Sequence, residues 1–137
     1  MKTKGIRISD CSETNNDVVS VELHHILEEI YEGAEFHWSI LYLDSMGQLK
    51  NGRSISDFEN EIEQSETGLW LKWEELKNLA TKFYQIYDLL LIGCKDISHL
   101  HRYQGEKELW ETCDISIEMF DCSYWEVFSK NEISSIG

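Results

Sequence analysis

Proline is missing from this sequence altogether, and its eight glycines are scattered singly along 137 residues. Stretches rich in proline and glycine are the usual linkers between domains, so the composition marks no place where the chain divides. A chain of this length buries about two thirds of the surface that its unfolded form exposes, which is enough for one core. We therefore predict a single domain over residues 1–137.

Long apolar segments are also lacking. The longest aliphatic run is Leu89 to Ile92, far below the roughly 18 to 20 apolar residues that a membrane-spanning helix needs. The basic residues near Met1 are not followed by the apolar segment of a secretory signal. We expect a cytoplasmic protein that makes no contact with membranes.

Positive charge is scarce, with 12 Lys and Arg against 26 Asp and Glu and a formal net charge of −14. Direct binding to nucleic acid depends on Lys and Arg that neutralise phosphates, so this balance argues against it. The charge favours a basic protein partner, although many acidic proteins use their charge only to stay soluble.

Cysteine occurs four times, at widely separated positions: Cys11, Cys94, Cys113 and Cys122. The sequence contains no CxxC pair and no histidine at the spacing of a zinc finger. We therefore expect free, buried thiols, and we predict no structural zinc and no cofactor.

Patterns in the first half of the chain predict alternating strands and helices. A strand is expected from Ile6 to Cys11, and apolar residues from Leu23 to Tyr31 at helical spacing predict a helix that ends at Gly33. From Phe36 the period becomes two, which predicts a strand with Phe36, Trp38, Ile40 and Tyr42 on one face. A short acidic helix follows, with Ser56 and Glu59 forming a capping box.

The second half predicts the centre of the sheet and its last strands. Residues 68–73 indicate a short extended segment before a long helix that reaches Ile86 or Tyr87, and Asp88–Gly93 is typical of a buried central strand. Residues 97–112 have no clear period, whereas 114–119 and 125–127 predict a hairpin, followed by a short helix at 129–133. The fold class is α+β (mixed α/β): a single sheet of about five strands with helices packed against it and a C-terminal β-hairpin.

Catalytic motifs are missing: the chain has no GxGxxG, GxxxxGK[ST], GxSxG or HExxH. An enzyme is therefore not predicted. The alternative is a small metal- or thiol-dependent enzyme that uses His99 and His101, with Asp96 and Glu106 nearby, or Cys94. His24 and His25, roughly 100° apart on a helix, are not expected to face one ligand.

Acidic clusters are the strongest candidates for a binding surface. Asp57, Glu59, Glu63 and Glu66 lie in one helix without an interleaved base, where like charges at i, i+4 cost a few tenths of a kcal/mol per pair. A second acidic group lies near large aromatic residues and consists of Glu108, Glu111, Asp114, Glu118 and Asp121. From this region we predict Glu111, Asp121 and Tyr124 as partner-binding residues. Carboxylates beside large rings are common in protein interfaces. A solvated helix face and ordinary core packing are the simpler interpretations.

Four segments together resemble small bacterial immunity proteins, which are encoded beside polymorphic or contact-dependent toxins. They are Trp38–Leu43, Gly68–Leu76, Asp88–Cys94 and the ending Tyr124-Trp125-Glu126-Val127-Phe128-Ser129-Lys130-Asn131-Glu132. The resemblance implies a cytoplasmic inhibitor that binds a cognate toxin, commonly a basic nuclease domain. A generic acidic protein-interaction domain is the remaining alternative.

Overall fold

The fold is built on one sheet with helices against it, as predicted, and every strand pairing in the sheet is antiparallel within the described residues. The computed structural model describes residues 4–8 (backbone only), 21–30, 32–49 and 52–129. Within these residues the sheet has six strands, where about five were expected: β1 Lys4–Ile8, β2 His37–Gly47, β3 Leu69–Leu71, β4 Phe83–Cys94, β5 Ile115–Phe120 and β6 Tyr124–Ser129. Their order in the sheet is β1-β6-β5-β4-β2-β3. The helices are α1 Leu23–Glu28, α2 Ile55–Gln64, α3 Trp73–Ala80 and α4 Glu106–Thr112.

The main hydrophobic core lies between α1, α2, α3 and one face of the sheet. Each helix buries a short apolar stripe against that face: Leu23, Ile26 and Leu27 from α1, Phe58 and Ile62 from α2, and Leu76 and Ala80 from α3. The strands contribute alternate residues, as expected when one face of a sheet is covered. We call this the helix-covered face.

Strand β4 lies at the centre of the sheet, which confirms the prediction for residues 88–93. It pairs with β2 on one side and with β5 on the other. Leu91 and Ile92 are both fully buried, Leu91 in the main core and Ile92 in a second, smaller cluster on the other face. A strand buried on both faces explains the continuous aliphatic run.

A bulge in β2 reverses the predicted alternation. Ile40 pairs with Leu91 and Tyr42 pairs with Leu90, so Leu41 is the additional residue between them. An extra residue moves every later side chain to the opposite face. Tyr42 therefore lies 46% exposed on the second face, and the prediction that it shares the buried face of Trp38 and Ile40 was wrong.

The first helix is shorter than predicted, because α1 ends at Glu28 and Gly33 does not cap it. Gly33 lies in a 3₁₀ turn over 33–35. A Cβ at this position would fall 2.4 Å from the ring of Trp73, and the Gly33 carbonyl accepts a 2.8 Å hydrogen bond from Trp38 Nε1. Close packing, and not a left-handed conformation, is therefore the reason for glycine here.

Two other helix predictions were wrong at their ends. Ser54, not Ser56, begins α2, since its side chain accepts a hydrogen bond from the amide of Asp57. Helix α3 ends at Ala80, and Phe83 and Ile86 belong to β4, because pairing with β2 overrides their helical spacing. The short helix α4 was not predicted, since Leu109 is its one buried residue.

Some predictions concern residues outside the described ranges. The strand expected over 6–11 overlaps β1, and its last three positions lie outside those ranges, as do Tyr31 and positions 130–133 of the expected terminal helix. Within the described residues, no helix is both long and apolar enough to cross a membrane.

Candidate interaction surface

The second face of the sheet is covered mainly at one end. There α4 and the segment over 97–103 enclose the smaller cluster of Leu41, Ile92, Cys94, Leu100, Leu109 and Cys113, with Leu90, Tyr103 and Trp110 packed around it. Near the other end of β2, Tyr42 and Met46 are 46% and 52% exposed. This part of the face is open to solvent as far as the described residues extend.

Two pairs of like charges lie on this second face of the sheet. Asp44 on β2 is directly opposite Asp88 on β4, and Glu118 on β5 is directly opposite Glu126 on β6. Direct partners on antiparallel strands have their side chains on the same face, about 4.5 to 5.5 Å apart at Cβ. We call Asp44, Asp88, Glu118 and Glu126 the acidic face.

The register places these two pairs on the same side of the sheet. Tyr42 is opposite Leu90, and Leu90 is opposite Glu118, so one row of side chains runs from β2 to β6. Asp44 lies two residues after Tyr42, and Asp88 lies two residues before Leu90. Side chains two residues apart on a strand point to the same face of the sheet. The next strand of the sheet is β1, in which Arg7 occupies the register position opposite Glu126.

Glu118 is a partly buried carboxylate of the acidic face with a raised pKa. Burial, followed by the nearby charges of Glu106 and Glu126, raises its pKa to about 7. Each of these causes disfavours the ionised form. The side chain therefore exchanges a proton near neutral pH, and a neighbouring cation would favour its ionised form.

Tyr42 connects the acidic face to helix α2. Its pKa is raised, first by desolvation and then by the charges of Asp44, Asp88, Glu63 and Glu59. Two carboxylates of α2 are therefore close enough to influence a side chain on the open face. Of the carboxylates predicted on α2, Glu59 and Glu63 therefore lie near this surface.

Among the carboxylates predicted on α2, Glu59 has a structural role. Its Oε2 accepts hydrogen bonds from the amide of Ser45 at 2.6 Å and from the Ser45 hydroxyl at 3.0 Å. These bonds fasten α2 to β2. Glu63 is exposed beside the face, and Asp57 is exposed in the first turn of α2. The prediction that Glu66 lies in the same helix was wrong, because α2 ends at Gln64 and Glu66 is in the turn that follows. Neither Asp57 nor Glu66 is among the groups that influence Tyr42.

Two residues of the second predicted group lie at the edge of the acidic face. The amide of Asp121, in the turn between β5 and β6, donates a 3.0 Å hydrogen bond to Asp88 Oδ1. Tyr124 stacks on Phe120, with ring centroids 5.0 Å apart. Glu111 is exposed on α4, but Glu106 is the α4 carboxylate that influences Glu118.

Arg102 lies next to this region, but its guanidinium is engaged by backbone carbonyl groups. It donates hydrogen bonds to Leu41 O, to Ile62 O at 2.8 Å and to Ser65 O at 3.1 Å. The last two carbonyls are at the C-terminal end of α2, where a cation is favourable. Arg102 therefore fixes α2 against the bulge of β2.

The residues of the alternative enzyme are Cys94, His99 and His101, and each has local partners in the structure. Cys94 is fully buried, and its hydrogen bond with Cys113, together with burial, raises its pKa far above the usual range. His99 Nε2 lies 3.9 Å from Asp96 Oδ2, while His101 Nδ1 donates to the carbonyl of Arg102 at 2.9 Å. No group of three metal ligands in the described residues contains His99, His101 or Cys94.

From sequence, Glu118 belongs to the second acidic group without being a predicted binding residue, whereas Asp44, Asp88 and Glu126 belong to neither acidic group. The signal for the second pair was present, because a hairpin with a turn over 121–123 puts Glu118 opposite Glu126. The first pair carried no such signal, since Asp44 and Asp88 are far apart in the chain and meet only through the register of β2 and β4.

Comparison with known proteins gives no relative. No protein-family model matches the chain, and neither a curated protein nor a solved structure matches it. The resemblance to immunity proteins stays a prediction.

Proposed function

We propose that this protein is an immunity-type inhibitor that binds a basic toxin domain through the acidic face. The observation that carries the proposal is the direct pairing of Asp44 with Asp88 and of Glu118 with Glu126. The partner fits the chemistry of this surface if it presents Lys or Arg to the sheet. A nuclease is such a partner, because its own site must attract phosphates.

The energetics of the free protein support a cationic partner. Like charges directly opposite each other in a sheet destabilise it, by an amount within the range of roughly 0.2 to 1 kcal/mol typical of cross-strand pairs. A Lys or Arg side chain placed between Asp44 and Asp88 would remove the repulsion at that pair. Part of the binding free energy would therefore come from relief of a cost that is already present between β2 and β4 in the unbound protein.

The side chains around the carboxylates suit a protein interface. Tyr42 and Met46 offer exposed apolar area, and Tyr124 lies at the edge. Aromatic rings and methionine are enriched at the buried centres of interfaces, while charges steer the encounter. An inhibitor of this kind acts by covering its target and requires no catalytic side chain of its own.

The partner can be found by purifying the protein from its native host at low salt and identifying the bound polypeptides by mass spectrometry. The proposal predicts a basic toxin domain. A basic partner without toxic activity would instead indicate a generic acidic interaction domain. Recovery of acidic partners alone would contradict the role of the acidic face.

The surface is then tested by reversing its charge. Asp44 and Glu63 are both exposed, and the double variant Asp44→Lys/Glu63→Lys should weaken binding by about tenfold or more, mainly through slower association. The control is Glu35→Lys/Glu74→Lys, which makes the same change in net charge at exposed positions in the 3₁₀ turn and in α3. Equal losses in the two variants would show that net charge, not this face, determines binding.

A further inference from the structure

Helix α1 brings two histidines and a glutamate together on the surface. The rings of His24 and His25 have centroids 4.1 Å apart with an interplanar angle of 48°, and His24 Nε2 lies 3.0 Å from Glu22 Oε2. The prediction that adjacent helix positions keep these imidazoles from one ligand was therefore wrong. Both side chains turn back toward Glu22, since His25 Nδ1 accepts a 3.0 Å hydrogen bond from the Glu22 amide.

The three side chains form a metal-ligand set. One ligand atom from each of Glu22, His24 and His25 lies within 4.8 Å of the other two. Zinc binds imidazole nitrogen and carboxylate oxygen at about 2.0 to 2.2 Å, so its tetrahedral ligands are roughly 3.4 Å apart. A modest rotation of side chains that are all at least partly exposed would bring them to this spacing.

A fourth residue supports the orientation of His24. Glu28 Oε2 lies 3.5 Å from His24 Nδ1, on the side of the ring away from Glu22. A carboxylate that holds one ring nitrogen leaves the other nitrogen to bind the metal, and this arrangement recurs in metal sites. Glu28 thus has the position of a supporting residue behind a metal-binding imidazole.

We propose that Glu22, His24 and His25 form a binding site for a divalent transition-metal ion of the zinc class. Two imidazoles and one carboxylate supply three ligands, and water can complete the coordination because the site is on the surface. His25 would bind through Nδ1 and exchange its hydrogen bond with the Glu22 amide for the metal. The site does not depend on the acidic face, since α1 packs on the helix-covered face of the sheet.

Titration calorimetry of the untagged protein over residues 1–137 with ZnCl₂ tests the site. We expect one zinc ion per chain. His24→Gln and His25→Gln should each weaken binding by about tenfold or more, because loss of a residue that only supports a ligand already has an effect of this size in known metal sites. Glu28→Gln should have a smaller effect in the same direction. His101→Gln is the matched control and should bind as the wild type does.

A second measurement identifies the ligands without relying on affinity alone. In NMR spectra of the imidazole groups, added zinc should shift the ring signals of His24 and His25 and leave those of His99 and His101 unchanged. Absence of binding to the wild type, or undiminished binding by both His24→Gln and His25→Gln, would overturn the proposal. Because no partner protein takes part, either result leaves the proposed function as it stands.

Discussion

Asp44 and Asp88 lie directly opposite each other on β2 and β4, although nothing in the local sequence of either strand requires it. The Asp88 carboxylate also accepts a hydrogen bond from the amide of Asp121 in the hairpin turn. One carboxylate of this pair thus has a structural partner, whereas Asp44 is exposed beside it. This asymmetry makes Asp44 the better position at which to test the repulsion.

Replacing Asp44 by Asn should stabilise the free protein slightly. The change removes repulsion of Asp88 without altering the shape of the side chain, so the free energy of unfolding should rise by about 0.2 to 0.5 kcal/mol. Urea denaturation at pH 7 and low salt measures the difference. Glu74→Gln is the control. Because Glu74 forms an ion pair with Lys77 at 2.8 Å, removing its charge should not raise the free energy of unfolding. A clear loss of stability in Asp44→Asn would contradict the repulsion.

Glu118 should make stability depend on pH. Its pKa in the folded protein is about 7, above the ordinary value of 4.5. Between these values the folded state binds the proton more tightly than the unfolded state does, so its stability falls as pH rises through this window. The penalty is fully present above pH 7 and absent below about pH 4.

The variant Glu118→Gln removes this penalty. It should be more stable than the wild type at pH 8, and the difference should shrink by about 1 kcal/mol at pH 5, after allowance for solvent screening. Urea denaturation at the two pH values gives the comparison, with the exposed Glu108→Gln as control. A difference that does not change with pH would be inconsistent with the raised pKa.

Glu59 and Glu63, one turn apart on α2, should separate structure from binding. Glu59→Ala removes the two hydrogen bonds to Ser45 and should cost about 1.5 to 3 kcal/mol of stability, as expected for bonds to a charged group. Glu63→Ala should change stability by less than about 0.5 kcal/mol. Thermal or urea denaturation of both variants checks the contrast, and equal costs would argue against it.

Gly33 should tolerate no side chain. Gly33→Ala forces a methyl group against the ring of Trp73, and such overpacking typically costs about 1 to 3 kcal/mol. Gly105→Ala is the matched control, since a Cβ there meets nothing within 4 Å, and it should cost less than about 1 kcal/mol. Urea denaturation of the two variants distinguishes close packing from a general intolerance of alanine.

The parts of the fold that follow from local pattern were predictable from sequence. The aliphatic run at Leu89–Ile92 identified the central strand, and alternation on both sides of the 121–123 turn identified the hairpin. The bulge at Leu41 and the boundary between α3 and β4 were not predictable. Both depend on the pairing of β2 with β4, which joins residues that are distant in the chain.

Residues of the candidate site were likewise predictable where local pattern indicated them and unpredictable where they depend on strand pairing. The sequence selected Glu63, Asp121 and Tyr124 from charge runs and neighbouring aromatics, and these residues border the acidic face. It could not select Asp44 with Asp88, because two isolated aspartates form a charged pair only once the strand register is known. It also selected Glu59, whose interaction with Ser45 is a tertiary contact that no spacing indicates.

The central claim is that the acidic face recognises a basic partner, and the association rate with the captured partner tests it most directly. Stopped-flow measurements at increasing NaCl concentration should give a steep fall for the wild type, because salt screens charges that are separated by more than about 8 to 10 Å. The fall should be much shallower for Asp44→Lys/Glu63→Lys and unchanged for Glu35→Lys/Glu74→Lys. An association rate that does not depend on salt, or the same dependence in all three proteins, would contradict the claim.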